Sequence, residues 1–231
     1  MEYARKLIAT AAAGLCLGMA TAALANEDKI TQGLFSYDAM GCMLLRECTD
    51  DIEPVWGVGL LKQEFPDTNW DPVAHEFTRM LNALTLIDVQ VFLADQKYFP
   101  VGHRGVYHTV SNKMYLNRRF MHRPSTLMSV MRHEGWHAAQ DCMAGTIDNN
   151  MIAIIMDEEK VPQIWQDIAT KTYAASPGAI PWEKEAFWAG KTEGMTLAAL
   201  QACSAGNMWE IYEPTPMTRE WLELNGFITG D

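Results

Sequence analysis

The sequence predicts an α+β fold in which a small mixed or antiparallel sheet packs on two helices, one in the middle of the chain and one downstream. Three short segments rich in β-branched and aromatic residues lie before the middle of the chain, at 88–93, 105–110 and 113–117, and this bias is typical of strands. After them, apolar residues recur at helical spacing. Strands followed by helices in separate parts of the chain indicate an α+β architecture.

The first 25 residues have the layout of a secretory signal peptide. Arg5 and Lys6 form a short basic region, residues 7–22 are apolar and alanine-rich, and an Ala-x-Ala cleavage site ends at Ala25. The alternative is a transmembrane anchor, which the shortness of the stretch and the acidic residues after it disfavour. We therefore expect an exported protein, periplasmic or secreted, with a single domain over 26–231 and no membrane segment after cleavage.

The charge of the mature chain restricts its partners. Cleavage after Ala25 would leave 16 basic and 28 acidic side chains, a net charge of −12. A strongly acidic protein is repelled by nucleic acids and by anionic membrane surfaces, so neither is expected as a partner.

Four cysteines remain after the predicted cleavage, namely Cys42, Cys48, Cys142 and Cys203. An even number in an exported protein suggests two disulfides, for which three connectivities exist. A Cys₂His₂ zinc site is the competing interpretation, but the chain has no C-x-x-C pair. Disulfides are therefore favoured.

The remaining elements follow the chain. Residues 26–70 are poorly periodic, and Pro72 and the apolar residues after it predict a helix to about Leu84. Pro124 and Ser125 begin the central helix, which should end near Gly145. A second helical stretch is expected over 146–176, where the acidic run 157–159 is more typical of a solvated face than of a metal site. Another helix is expected to begin at Pro181.

The central helix carries the sequence His133-Glu134-Gly135-Trp136-His137, an HExxH motif. Residues i and i+4 lie on one face of an α-helix, so the two imidazoles can converge on one Zn²⁺. Glu134, next to the first histidine, can then act as the general base for a water activated by the metal. Gly135 is unusual inside a helix and predicts a close neighbour over that face.

A third ligand is expected on the helix that begins at Pro181, because a catalytic zinc often has a His₂Glu set of protein ligands. Glu183 and Glu185 are about 200° apart around that helix, so only one of them can face the metal. The Glu185 face also carries Ala186 and Ala189, small residues that let helices approach closely. We therefore expect Glu185 to be the ligand, with Glu183 as the alternative.

This order of parts resembles the gluzincins, the HExxH zinc peptidases with a downstream glutamate ligand, and above all their smallest members, the minigluzincins. The resemblance covers about Val89 to Ala199 and includes the strand at 113–117, HEGWH and the Glu185-Ala186 pair. It implies that His133, His137 and Glu185 are ligands and that Glu134 is the base. Metzincins are excluded, because their further glycine and histidine are replaced here by Gln140 and Met143.

The resemblance also indicates residues that support catalysis. Asp141 follows His137 by four residues, as an aspartate does in thermolysin-like helices, and is a candidate partner behind the metal ligands. No histidine follows His137, so the histidine with which many gluzincins stabilise the oxyanion is absent. Tyr212, Tyr173 and Tyr107 are the candidates to replace it, and the sequence does not choose among them.

The function predicted from these features is that of an exported zinc metalloendopeptidase acting on peptides or proteins. The alternative is a secreted module that binds zinc without catalysis. A disulfide between Cys142 and Cys203 is expected to hold the glutamate helix against the central helix, leaving Cys42 to pair with Cys48. The rival connectivity joins Cys142 to Cys42 or Cys48. The oligomeric state is not predicted.

Overall fold

A computed structural model describes residues 37–148, 151–213 and 215–229. The predicted signal peptide lies outside these residues. The described residues form two compact units, a small one that includes 37–51 and 95–103, and a larger one of 52–94 and 104–229. Helices and a four-stranded mixed sheet make up the fold, which confirms the α+β prediction.

The small unit contains helix α1, Tyr37–Leu44, and a short 3₁₀ turn, Gln96–Tyr98. Cys42 and Cys48 form a disulfide that closes the chain after α1, as predicted. The buried Tyr98 donates a hydrogen bond from its hydroxyl to the Asp50 carbonyl at 2.7 Å.

The sheet belongs to the larger unit. Its strands are β1, Ile52–Pro54, β2, Gln90–Ala94, β3, Gly105–His108, and β4, Lys113–Asn117, in the order β1-β2-β4-β3. β4 runs parallel to β2 and antiparallel to β3. β4 is buried at every position, whereas β3 lies at the edge. The three predicted strands are confirmed, and β1 is an additional one.

The helices of the larger unit surround one continuous apolar core. They are α2 (Val58–Glu64), α3 (Asp71–Leu86), α4 (Pro124–Met143), α5 (Gln163–Thr172), α6 (Ile180–Ala189), α7 (Met195–Ser204), α8 (Met208–Ile211) and α9 (Pro216–Leu224). The HExxH motif lies on α4, which is almost wholly buried from Leu127 onward. Residues Glu183 and Glu185 lie on α6.

Gly135 permits the close helix packing that its position predicts. A Cβ at this position would lie 3.0 Å from Thr196 Cγ2 and 3.2 Å from Met80 Cε. Helices α3 and α7 therefore reach the backbone of α4 where any larger residue would crowd them. Among the described residues, the structure has no helix with the length and apolar character of a membrane span.

The predicted helical stretch over 146–176 is shorter than expected. Only Gln163–Thr172 is α-helical, and 151–157 is irregular. The backbone of that irregular segment bonds to other elements: Trp182 Nε1 donates to the Ile152 carbonyl, and Ala153 N–H donates to the Gln140 carbonyl. These tertiary bonds replace the helical ladder, which apolar spacing alone cannot show. The acidic run 157–159 is exposed, as expected.

A disulfide joins Cys142 to Cys203, with the two Cα atoms 6.0 Å apart, and the predicted connectivity is confirmed. Cys203, however, lies on α7 and not on the helix that carries the glutamates. The chain leaves α6 after Ala189, and Gly194 takes a left-handed φ of 81° before α7 begins. The bridge therefore links α4 to α7, and constraining a loop of this length stabilises the fold by about 4 kcal/mol. Two disulfides are consistent with an extracellular protein.

Candidate metal centre

His133, His137 and Glu183 form a group that could hold a metal ion. One ligand atom from each lies within 4.8 Å of the other two. His133 Nε2 is 3.2 Å from Glu183 Oε2, and His137 Nε2 is 3.5 Å from Glu183 Oε1. Two imidazole nitrogens and a carboxylate are a ligand set that suits zinc, although they do not by themselves identify the metal.

The packing of α6 on α4 brings the third side chain to the histidines. The imidazoles of His133 and His137 project from successive turns of α4, with ring centroids 5.0 Å apart. Gly190, seven residues after Glu183 and on the same face of its helix, makes the approach possible. A Cβ at Gly190 would lie 3.1 Å from the Ser129 carbonyl oxygen and 3.2 Å from His133 Cβ.

The expectation that Glu185 is the third ligand is therefore corrected in favour of Glu183. The carboxylate of Glu185 points away from the histidines and accepts four hydrogen bonds. The donors are Trp136 Nε1 at 2.9 Å, Gln140 Nε2 at 2.9 Å, Ile155 N at 3.2 Å and Met156 N at 2.5 Å. The alanines beside Glu185 predicted the wrong face, because the small residue that lets α6 approach α4 is Gly190.

The surroundings of Glu183 fit a bound cation. Its Oε2 atom is buried and lacks a hydrogen bond, although His133 lies at ion-pair distance. Burial would raise the pKa of Glu183, but the contact with His133, the charge of His137 and the hydroxyl of Tyr173 together lower it. A buried carboxylate that is ionised and has an unsatisfied oxygen is suited to a metal.

Gln140 orients His137. Its Oε1 lies 2.8 Å from His137 Nδ1, and its Nε2 donates to Glu185 and to the Trp182 carbonyl at 3.1 Å. Because the amide oxygen can only accept, Nδ1 of His137 is the donor in this contact, and Nε2 is the nitrogen that faces Glu183. Metal-binding histidines are oriented in this way. This role of Gln140 was not predicted, although its spacing of three residues from His137 on one helix face was the available signal.

The resemblance predicted Asp141 as a partner behind the metal ligands, but its hydrogen-bond partner lies elsewhere. Its Oδ2 accepts a hydrogen bond from the Tyr107 hydroxyl at 2.9 Å, on the side of α4 that faces β3. The side chain is fully buried, and burial raises its pKa to about 7. Asp141 therefore belongs to the contact between the helix and the sheet.

Glu134 lies beside the three candidate ligands and beneath β3. A Cβ at Gly105 would lie 3.1 Å from its Oε1 atom, and the nearby Tyr107 backbone N–H lowers the pKa of its carboxyl. Burial raises the pKa of Glu134, and the two histidines only partly offset this effect. A carboxylate whose protonated form is favoured by burial is well suited to accept a proton.

The three candidate tyrosines occupy different places. Tyr173 contributes a hydrogen bond to Glu183, and its ring lies 6.3 Å from that of Phe187. Tyr107 is held by Asp141. Tyr212 lines a cavity of about 470 Å³ together with Ile155 and Met156, on the side where Glu185 is anchored. Of the three, the structure places Tyr173 at the ligand group.

Comparisons with known proteins add no family assignment. Protein-family models, curated proteins and solved structures were each searched, and none matches this chain.

Proposed function

We propose that the protein is an exported zinc-dependent peptidase. The observation that carries the proposal is the combination of the group His133, His137 and Glu183 with a buried Glu134 beside it. A metal site that served only stability would not need an additional buried carboxylate, because an unpaired buried acid destabilises a fold. An acid placed next to a metal is expected where a proton is transferred.

Zinc in this site would supply Lewis acidity, which polarises a carbonyl group and makes water more acidic. Side chains of the protein would carry out the proton transfers and stabilise the oxyanion. Glu134 takes a proton from the attacking water and passes it to the nitrogen of the leaving amine. Tyr173, whose hydroxyl contributes a hydrogen bond to Glu183, would donate a hydrogen bond to the oxyanion of the substrate.

A peptide substrate is favoured by the strand above Glu134. In the described part of the chain, β3 pairs with β4 along one side only. An extended peptide can pair with such an edge through its own backbone. Gly105 keeps this edge close to Glu134, so the scissile bond of a bound peptide would pass near the general base.

The proposal is tested with the zinc-loaded protein and its Glu134→Gln variant on a broad peptide library. We expect wild-type turnover and a loss of about 10²–10⁴-fold in the variant. Equal zinc content in the two proteins is the control, because Glu134 is not a ligand. Background turnover by both would reject the peptidase.

The alternative is a secreted zinc-binding module without catalysis. This alternative is favoured because the sequence has no histidine after His137, and many gluzincins use a downstream histidine to stabilise the oxyanion. This alternative predicts that zinc raises the melting temperature of wild type and of Glu134→Gln equally and that neither protein cleaves any peptide. Measuring both properties on the same samples separates the two functions.

A further inference from the structure

Strand β3 lies across α4 directly over the general base. Gly105 is so close to the helix that a Cβ would come within 2.6 Å of Val130 Cγ1. Glu134 and Asp141 are seven residues apart on α4, so both face the strand, two turns from each other. The strand therefore contacts one face of the helix at two carboxylates.

Tyr107 anchors this strand to α4. Its hydroxyl donates to Asp141 Oδ2 at 2.9 Å, two residues beyond Gly105, where the strand contacts Glu134. The other polar atom near the hydroxyl, Asn112 Oδ1, is farther away at 3.5 Å. Asp141 is thus the main acceptor, and it is fully buried with its Oδ1 atom unpaired.

We propose that the hydrogen bond between Tyr107 and Asp141 positions Glu134, by holding β3 against the Glu134 carboxylate at Gly105. Among the described strands β3 pairs only with β4, so sheet hydrogen bonds hold it along one side. The buried tyrosine hydroxyl fixes the strand to α4 as well. The position of the Glu134 carboxylate is then set by the strand that it contacts.

The effect on turnover rests on the proposed function, but the positioning itself does not. The side chains of Tyr107 and Asp141 bond to each other and act through Glu134. Their loss should therefore lower kcat and leave KM and zinc content unchanged. A merely structural defect would instead change stability and metal binding together.

The first test measures hydrogen exchange of the backbone amide at residue 107 by NMR in the metal-free protein. Tyr107→Phe and Asp141→Leu each remove the hydroxyl bond, and we expect this amide to exchange about tenfold faster or more. Asp141→Asn retains an oxygen that accepts the bond, so it should restore the slow exchange. Tyr98→Phe is the matched control, because it removes a buried tyrosine hydroxyl bond to Asp50 and should leave residue 107 unaffected.

The second test compares kinetics of the zinc-loaded proteins. Tyr107→Phe and Asp141→Leu should each lower kcat about tenfold, the double variant should lose no more than either single one, and Asp141→Asn should recover most of the loss. Exchange at residue 107 that is as slow in Tyr107→Phe and Asp141→Leu as in wild type would overturn the positioning, whether or not the protein cleaves peptides. Absence of wild-type turnover would overturn the proposed function and leave the exchange result to decide the positioning.

Discussion

Two glutamates on one short helix have opposite environments. Glu183 and Glu185 are both buried on α6, with 8% and 1% of their surface exposed. Glu185 accepts four hydrogen bonds from α4 and from the irregular segment before α5. Glu183 faces two imidazoles and has an oxygen without a hydrogen bond. The pKa of Glu185 is raised, chiefly by burial, whereas the contacts of Glu183 with the histidines lower its pKa despite burial.

The comparison shows what separates a metal ligand from a structural anchor. Burial is common to both carboxylates and does not distinguish them. The number of hydrogen-bond donors around each carboxylate distinguishes them. A carboxylate whose lone pairs are already occupied by N–H groups has little capacity for a cation. Glu185 is the anchor, and Glu183 is the candidate ligand.

The largest effect is expected on replacing Glu185, the structural anchor. Glu185→Ala leaves four donors unpaired in the interior and should lower the free energy of unfolding of the metal-free protein by about 3–5 kcal/mol. Denaturant unfolding in the presence of a chelator measures it. Glu183→Ala is the matched control and should cost less than half as much. Equal losses would remove the distinction between the two residues.

The next largest effect is expected on zinc binding when Glu183, the candidate ligand, is replaced. Glu183→Ala should weaken zinc binding by roughly a hundredfold, because a structural zinc binding energy of about 12 kcal/mol shared among four ligands is about 3 kcal/mol each. Competition with a chromogenic chelator measures the affinity. Glu185→Gln, which keeps an acceptor oxygen for its donors, should bind zinc more tightly than Glu183→Ala. The reverse order would restore Glu185 as the ligand.

Gln140 connects Glu185 to the candidate metal site, since it contacts His137 and donates to Glu185. Gln140→Leu should weaken zinc binding by about 10–100-fold, the range for partners that orient a metal-binding histidine. Gln166→Leu is the matched control, because the Gln166 side chain donates to the backbone carbonyls of Glu158 and Val161. A zinc affinity of Gln140→Leu equal to that of the control would show that His137 needs no support.

Asp141 offers a further comparison, as a third buried carboxylate with a single donor. Its pKa is about 7 in the folded protein against 3.8 for an ordinary aspartate. The folded state thus keeps its proton to higher pH, so the stability that this group contributes is present at low pH and is lost as pH rises from about 4 to about 7. Asp141→Asn should therefore reduce the fall in stability over this range by up to about 1.4 kcal/mol per pH unit. Unfolding of the metal-free protein and the variant at several pH values checks this, and parallel curves would contradict it.

The sequence was most informative where chemistry and local geometry coincide. The strand Lys113–Asn117, the start of α4 and the HExxH pair each depend on neighbours within a few residues, and each is found as predicted. The connectivity of Cys142 with Cys203 was predicted from two helices that must converge, and it is found although Cys203 lies on α7. In these cases local rules agree with the tertiary structure.

The choice between Glu183 and Glu185 could not be made reliably from sequence. It depends on which face of α6 meets α4, and both faces carry small residues. The structure shows that contact with the backbone at Ser129 needs a glycine, which only the Glu183 face supplies at Gly190. The backbone donors at 155 and 156 were also invisible, because every residue except proline has an N–H and no sequence pattern marks which of them is used.

Those two backbone donors have a consequence for how the chain can vary. Ile155 and Met156 hold Glu185 through main-chain N–H groups, and Ala153 contacts Gln140 in the same way. Support of this kind does not depend on side-chain identity, so the segment can accept substitutions that keep its packing, with proline the exception. Its length cannot change as freely, because inserting or deleting one residue would shift every donor. Related chains should therefore differ in the residue types of this segment and agree in its length.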